Sequence, residues 1–145
     1  MRYTLQHSAE DPGHGGISGA IAAEKWSEDA FERLIENCFG ASSDVRHVAV
    51  YAGDKLVLRA RDGVSGTGSA ESDKYEELLV NPALIKLASQ RGDIDCGGLR
   101  FLLVRYGHFF QCLYPTRTGH VSVALEPRAD LISLPGLLAR LIAEG

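Results

Sequence analysis

The chain reads as an α+β domain built on a five-stranded antiparallel sheet, with its elements in the order α-ββ-α-βββ-α. Three observations predict this. An amphipathic helical run precedes two short apolar runs that flank a Gly-containing connection. A second helical run, interrupted by Pro82, separates that pair from the densest apolar stretch of the chain, GGLRFLLVRYGHFFQCLYPTRTGHVSVALEP at 97–127. That stretch holds three apolar runs divided by two turn signals, and a last helical pattern follows at once.

Taken in order, residues 1–26 read as a flexible leader. SAEDPGHGGISG at 8–19 is rich in Ser, Gly and acidic residues, and its His7 and His14 read as solvated. The IAAEKW that follows is compatible with an extension of the next helix. A single domain is expected over 27–145. In SEDAFERLIENCFG, Ser27 is placed to cap a helix, and Glu28 and Asp29 suit the positive end of its dipole. Phe31, Leu34, Ile35, Cys38 and Phe39 share one face, and Gly40 is placed to end the helix. Runs 45–51 and 55–61 then flank Ala52-Gly53-Asp54 as a hairpin. In the second run Leu56, Leu58 and Ala60 alternate with Val57, Arg59 and Arg61. The two arginines read as the guard of a sheet edge, with a basic ligand-binding stripe as the rival reading.

Residues 62–73 form a polar loop in this reading. YEELLVNPALIKLASQRG then places Tyr75, Leu78, Leu79, Leu84, Ile85 and Ala88 at helical spacings. Pro82 predicts a kink or two short helices between about 73 and 90, and Gly92 closes the segment. Strands follow at Leu99–Tyr106, Phe109–Tyr114 and His120–Leu125, joined by a tight turn at Gly107 and the longer PTRTG loop. Asp130 or Ser133 can cap a final helix whose apolar stripe is Leu131, Leu134, Leu138, Leu141 and Ile142. Pro135 is tolerable there only in the first turn.

Composition narrows the function classes. A chain of 145 residues, 45% hydrophobic and 23% charged, suits one globular domain with its own core. The formal net charge of −4 argues against nucleic acid as the main partner. No run approaches the roughly 20 apolar residues of a membrane span, and the N-terminus lacks the apolar core of a secretory signal. Cys38, Cys96 and Cys112 are odd in number and show no CxxC spacing, which suits free thiols in a reducing, cytoplasmic setting.

Motifs for catalysis are thin. With a two-residue turn at Tyr106-Gly107, position 103 faces 110, and across the next loop 112 faces 122. That register puts His120 at a strand end near solvent and His108 across from Glu126, roughly 20 Å from His120. The two histidines then cannot share a metal, and His108 with Glu126 reads as a cross-strand polar pair. Cys112 reads as a small buried hydrophobe. DGVSGTGSAESD lacks the lysine of a phosphate loop, Asp93 and Asp95 read as a solvated turn, and neither GxSxG nor HExxH occurs. The chain is therefore expected to be no enzyme and to use no cofactor or metal.

Three stretches carry a resemblance: HVAVYAGDKLVLRARDG, LRFLLVRYGHFFQCLYP and GHVSVALEPRADLISLPGLLARLI. Over about residues 27 to 143 the chain resembles the Roadblock/dynein light chain family, of profilin-like and longin-like architecture. The resemblance implies a protein-binding scaffold or regulator that pairs as a homodimer or heterodimer and acts with a small Ras-like GTPase or within a motor complex; a homodimer is the expectation for this chain. By the family's strand order, the strand 99–104 lies at a sheet edge. Leu99, Phe101 and Leu103 on one face and Leu102 and Val104 on the other leave that edge little charge, so a second copy is expected to cover it. Tyr75, Leu79, Leu99, Phe101 and Leu103 are the expected dimer interface. The alternative reading is a small-molecule-sensing α/β module.

Overall fold

A computed structural model describes residues 27–63 and 70–144. Within them lie α1 (Glu28–Ala41), β1 (Val45–Ala52), β2 (Lys55–Ala60), α2 (Ala70–Tyr75), a π-helical turn (Glu76–Val80), α3 (Asn81–Asp95), β3 (Leu102–Arg105), β4 (Phe110–Pro115), β5 (Gly119–Leu125) and α4 (Leu134–Glu144). The domain is α+β. Its single antiparallel sheet has the order β2-β1-β5-β4-β3, which leaves β2 and β3 at the edges. The expected leader, with His7 and His14, and half of the polar loop expected at 62–73, residues 64–69, lie outside the described residues, while 70–73 belong to α2 and not to a loop.

Alternation along the strands sorts the sheet into two faces. Val48, Val50, Cys112, Tyr114, Val121, Val123 and Leu125 pack with Phe31, Leu34, Ile35 and Cys38 of α1 and Leu134, Leu138 and Ile142 of α4. Burying one such Leu or Phe contributes about 1.5–3 kcal/mol, so this layer is the main source of stability. Ser27 caps α1 by accepting from the Ala30 N–H at 3.3 Å. The Tyr114 hydroxyl donates to the Pro135 carbonyl at 2.8 Å, tying β4 to the first turn of α4. The opposite face, with Tyr51, Gln111, Leu113, His120 and Ser122, lies beneath the helical segment from α2 to α3.

Several local expectations change. The hairpin between β1 and β2 pairs Ala52 with Lys55 across Gly53-Asp54, and Gly53 adopts φ 65°, a left-handed conformation that glycine permits. Between β3 and β4 the pairs are Leu103 with Cys112 and Arg105 with Phe110, so residues 106–109 form the connection in place of a two-residue turn. Tyr114 pairs with Val121, one residue off the expected register, because the Thr116 N–H closes the loop on the Gly119 carbonyl at 3.0 Å. Cys112 therefore lies between Leu103 and Val123, buried as expected, but not beside Ser122.

The helical segment passes Pro82 without a break. The π-helical turn just before it bonds the Asn81 N–H to the Glu76 carbonyl, and Pro82 falls in the first turn of α3, where its missing N–H costs little. Gly92 does not end this helix, which runs on to Asp95. An added Cβ at Gly92 would meet the backbone of Gly98 and Leu99 at 3.1 Å, so the glycine lets the chain fold back closely towards β3. Asp93 and Asp95 sit in this last turn, and Asp95 accepts from Arg91 at 2.7 Å. In α4, Leu131 precedes the helix and is exposed, while Leu134, Leu138 and Ile142 form the buried stripe.

The arginines of the β2 segment also find definite work. Arg59 pairs with Glu32 of α1. Arg61 donates to the carbonyls of Val45 (2.7 Å), Phe39 and Ser42 (3.0 Å each), capping the end of α1. They clamp helix to sheet edge, and neither is left over to form a basic stripe.

Candidate functional site

The most polar part of the interior lies where the π-helical turn meets β5. An extra residue in a helical turn advances the side-chain phase by about 100°. Here it leaves Glu77 and Asn81 pointing at the sheet while Tyr75 and Leu79 stay outside. Glu77 Oε1 lies 2.8 Å from His120 Nε2 and accepts from Asn81 Nδ2 at 3.0 Å. Glu77 Oε2 accepts from Ser122 Oγ at 2.6 Å. All four side chains are at most 2% exposed. Burial alone would raise the Glu77 carboxyl, but the hydrogen bond and charge of His120, with the donors of Ser122 and Asn81, hold it below its ordinary value.

This cluster contains serine, histidine and a carboxylate, yet its wiring is not that of a nucleophile. Ser122 and His120 each contact Glu77, so the carboxylate is the hub and the imidazole is not set against the hydroxyl. Its chemical effect is to pin the helical segment to the sheet through charge-assisted hydrogen bonds.

Beside it opens a cleft of about 380 Å³. Arg46 and His47 of β1, Gln111 of β4 and Ala124 of β5 form its floor, while Asp73, Glu76 and Val80 form the helical wall. Tyr106 and Phe109, from the connection between β3 and β4, close one end with rings 5.6 Å apart. The register shift between Val45 and His47 adds Arg46 as an extra residue in β1 and re-aims it. Arg46 pairs with Glu126 at 3.1 Å, and its guanidinium lies 5.6 Å from the centre of the Phe109 ring. Glu76 is pushed up to about 7 by burial and by the charges of Glu77 and Asp73. Burial lowers the His47 imidazole and outweighs the raising influence of Asp73 and Glu77. The Gln111 side chain is 2% exposed, and its Oε1 accepts no hydrogen bond.

The expected site residues fall in two places. Tyr75 and Leu79 are 60% and 50% exposed, and Leu87 (66%) and Ile94 (74%) extend them into an apolar ridge along the outer face of α2–α3. Leu99 is half-buried in the segment entering β3, the strand at the sheet edge. Phe101 and Leu103 turn towards the α1–α4 core, with the Phe101 ring 5.7 Å from that of Tyr114. His108 is exposed and does not meet Glu126, which takes Arg46 instead. His120 is interior, not near solvent, because the helical segment covers the end of its strand. Burial raises the thiols of Cys38 to about 12 and Cys112 to about 11, leaving both protonated and unreactive.

Sequence reasoning missed Glu77, Asn81, Gln111 and the cleft. One signal was available. Gln111, His120 and Ser122 interrupt strongly apolar strands at positions of a single face, and buried polar side chains need partners on the covering element. Glu77 and Asn81, four residues apart on the one helix free to cover them, were the candidates.

Compared with known proteins, the chain matches no protein-family model and no curated protein. The class defined by fold and site is an α+β domain with a covered five-stranded sheet, a buried carboxylate hub and a polar cleft beside it.

Proposed function

We propose that the domain is a homodimeric platform for another protein, the partner class implied by the Roadblock resemblance being a small Ras-like GTPase. The observation that carries this reading is the ridge of Tyr75, Leu79, Leu87 and Ile94, all at least half exposed. It spans roughly 30 Å of helix, and exposed apolar side chains spread over that extent support a contact surface. The edge strand β3 supports the same reading, since Leu102, Leu103 and Val104 give it no charge before Arg105. Closed twofold pairing would bury such elements once, without propagating into a filament.

In this reading the domain is a binding module, neither an enzyme nor a cofactor carrier, and it works in the cytoplasm. Binding measurements with purified Ras-like GTPases of the same organism, loaded with GDP or a GTP analogue, test the partner. Saturable binding at micromolar concentration that differs between the two nucleotide states is expected. Absence of binding to every such GTPase in both states contradicts the assignment.

A further inference from the structure

We propose that the cleft between the β1–β4 floor and the π-helical turn binds a small organic cation, a primary ammonium on an apolar body. The inference is independent of the dimer. Three features of the cleft lead to it. First, its volume of about 380 Å³ falls within the roughly 300–1,000 Å³ of small-molecule sites. Second, its polar side is acidic: Asp73 and Glu76 line one wall, and the charge of Glu77 is felt at Glu76. The one guanidinium in the lining, Arg46, pairs with Glu126 through Nη1 and lies over the Phe109 face, and its buried Nε, which has no acceptor, adds a single donor to a lining that holds two carboxyl groups. Third, and independently of the carboxylates, Gln111 lines the cleft with a buried Oε1 that has no donor. A buried carbonyl oxygen is satisfied by an incoming N–H.

An ammonium supplies three donors and a positive charge, which matches two carboxylates and one amide oxygen. Tyr106, Phe109, Val80 and Ala124 supply apolar surface for the rest of the ligand. A metal ion fits less well, because among the described residues no three His, Cys, Asp or Glu side chains gather to hold one.

Glu76 faces Asp73 on α2, Glu77 beside it, Arg46 and His47 from β1, and Tyr106 from the β3–β4 connection. Burial, and then the neighbouring carboxylates of Glu77 and Asp73, oppose its ionisation, so it holds a proton up to about pH 7 when the cleft is empty. A bound cation would offset that repulsion. Affinity for the amine should therefore rise with pH as Glu76 ionises.

The test is an NMR titration of the full chain with 2-phenylethylamine, 2-phenylethanol and 3-phenylpropanoate. These probes share an apolar body and differ in charge. The amine is expected to shift amides of β1, the π-helical turn and β4 around the cleft. It should bind roughly tenfold or more tightly than either analogue, a single charge-assisted contact being enough for that ratio. Glu76→Gln and Asp73→Asn should each weaken it by roughly tenfold, with circular dichroism showing the native fold retained. Raising the pH from about 6 to about 8 should strengthen binding to the native chain and not to Glu76→Gln. Equal binding of the three probes, shifts away from the cleft, no binding at all, or indifference to both substitutions would overturn the proposal.

Discussion

At the scale of single residues, two adjacent glutamates carry opposite electrostatics. Glu77 is buried with its donors, and its pKa is depressed. The stability it contributes is present above the ordinary value of 4.5 and lost as pH falls through its lower folded value. Glu76 is raised to about 7, so between 4.5 and about 7 the native state holds a proton that the unfolded chain releases. That part of the stability falls as pH rises through the window. Glu76→Gln should therefore flatten the pH dependence there and leave the variant more stable than the native chain above about pH 7. Urea unfolding across that range checks both the sign and the window. His120→Ala strands a buried carboxylate, and breaking a buried pair costs about 3–5 kcal/mol. Denaturant titrations of His120→Ala and His108→Ala should separate widely, since exposed His108 lies within about 0.5 kcal/mol of neutral.

At the scale of elements, close approaches decide which positions tolerate change. A Cβ at Gly119 would sit 1.9 Å from the Tyr51 carbonyl oxygen, where β5 begins to pair with β1. Gly119→Ala must push the two strands apart and should cost about 1–3 kcal/mol or more. Gly136 in α4 has open space around it, and Gly136→Ala should instead stabilise by about 0.5–1 kcal/mol. Thermal unfolding of the two variants should move in opposite directions. The elements themselves were legible because apolar periodicity records which faces are covered: α1, with Phe31, Leu34, Ile35 and Cys38, was read nearly residue for residue. Hairpin registers were less legible, since loop closure by the Thr116 N–H is a backbone event that no side-chain pattern marks. The π-helical turn was also hidden. Pro82 announced an irregularity, but the wide turn beside it turns Glu77 to His120 and Ser122, partners more than 40 residues away. The cleft was least visible, because it gathers residues from three strands, α2, the π-helical turn and one connection, most of them far apart in sequence.

At the scale of the whole molecule, the two faces of the domain differ in kind. One side of the sheet is sealed by α1 and α4 into an apolar core. The other is covered by a helical segment held by a polar hub, whose outer surface carries the exposed Tyr75, Leu79, Leu87 and Ile94 among charged side chains such as Lys86 and Arg91. In the function proposed above, a helix placed this way would offer its outer side to a partner while its inner contacts keep it fixed. Because Leu79 and Leu87 are exposed in the single chain, replacing both with glutamate should leave its own fold within about 1 kcal/mol of the native stability. In a dimer built on the ridge, the same change places like charges within a buried contact and should separate the copies. Phe101 is the wrong position for this test, because its ring packs on Tyr114 and a lysine there would unsettle the core first. The decisive measurement is multi-angle light scattering of the native chain and of the Leu79→Glu, Leu87→Glu double variant at micromolar concentration. A mass about twice 15.7 kDa for the native chain, and about 15.7 kDa for a folded double variant, is the expected result. A native chain of about 15.7 kDa, or a double variant that remains paired, would contradict the account.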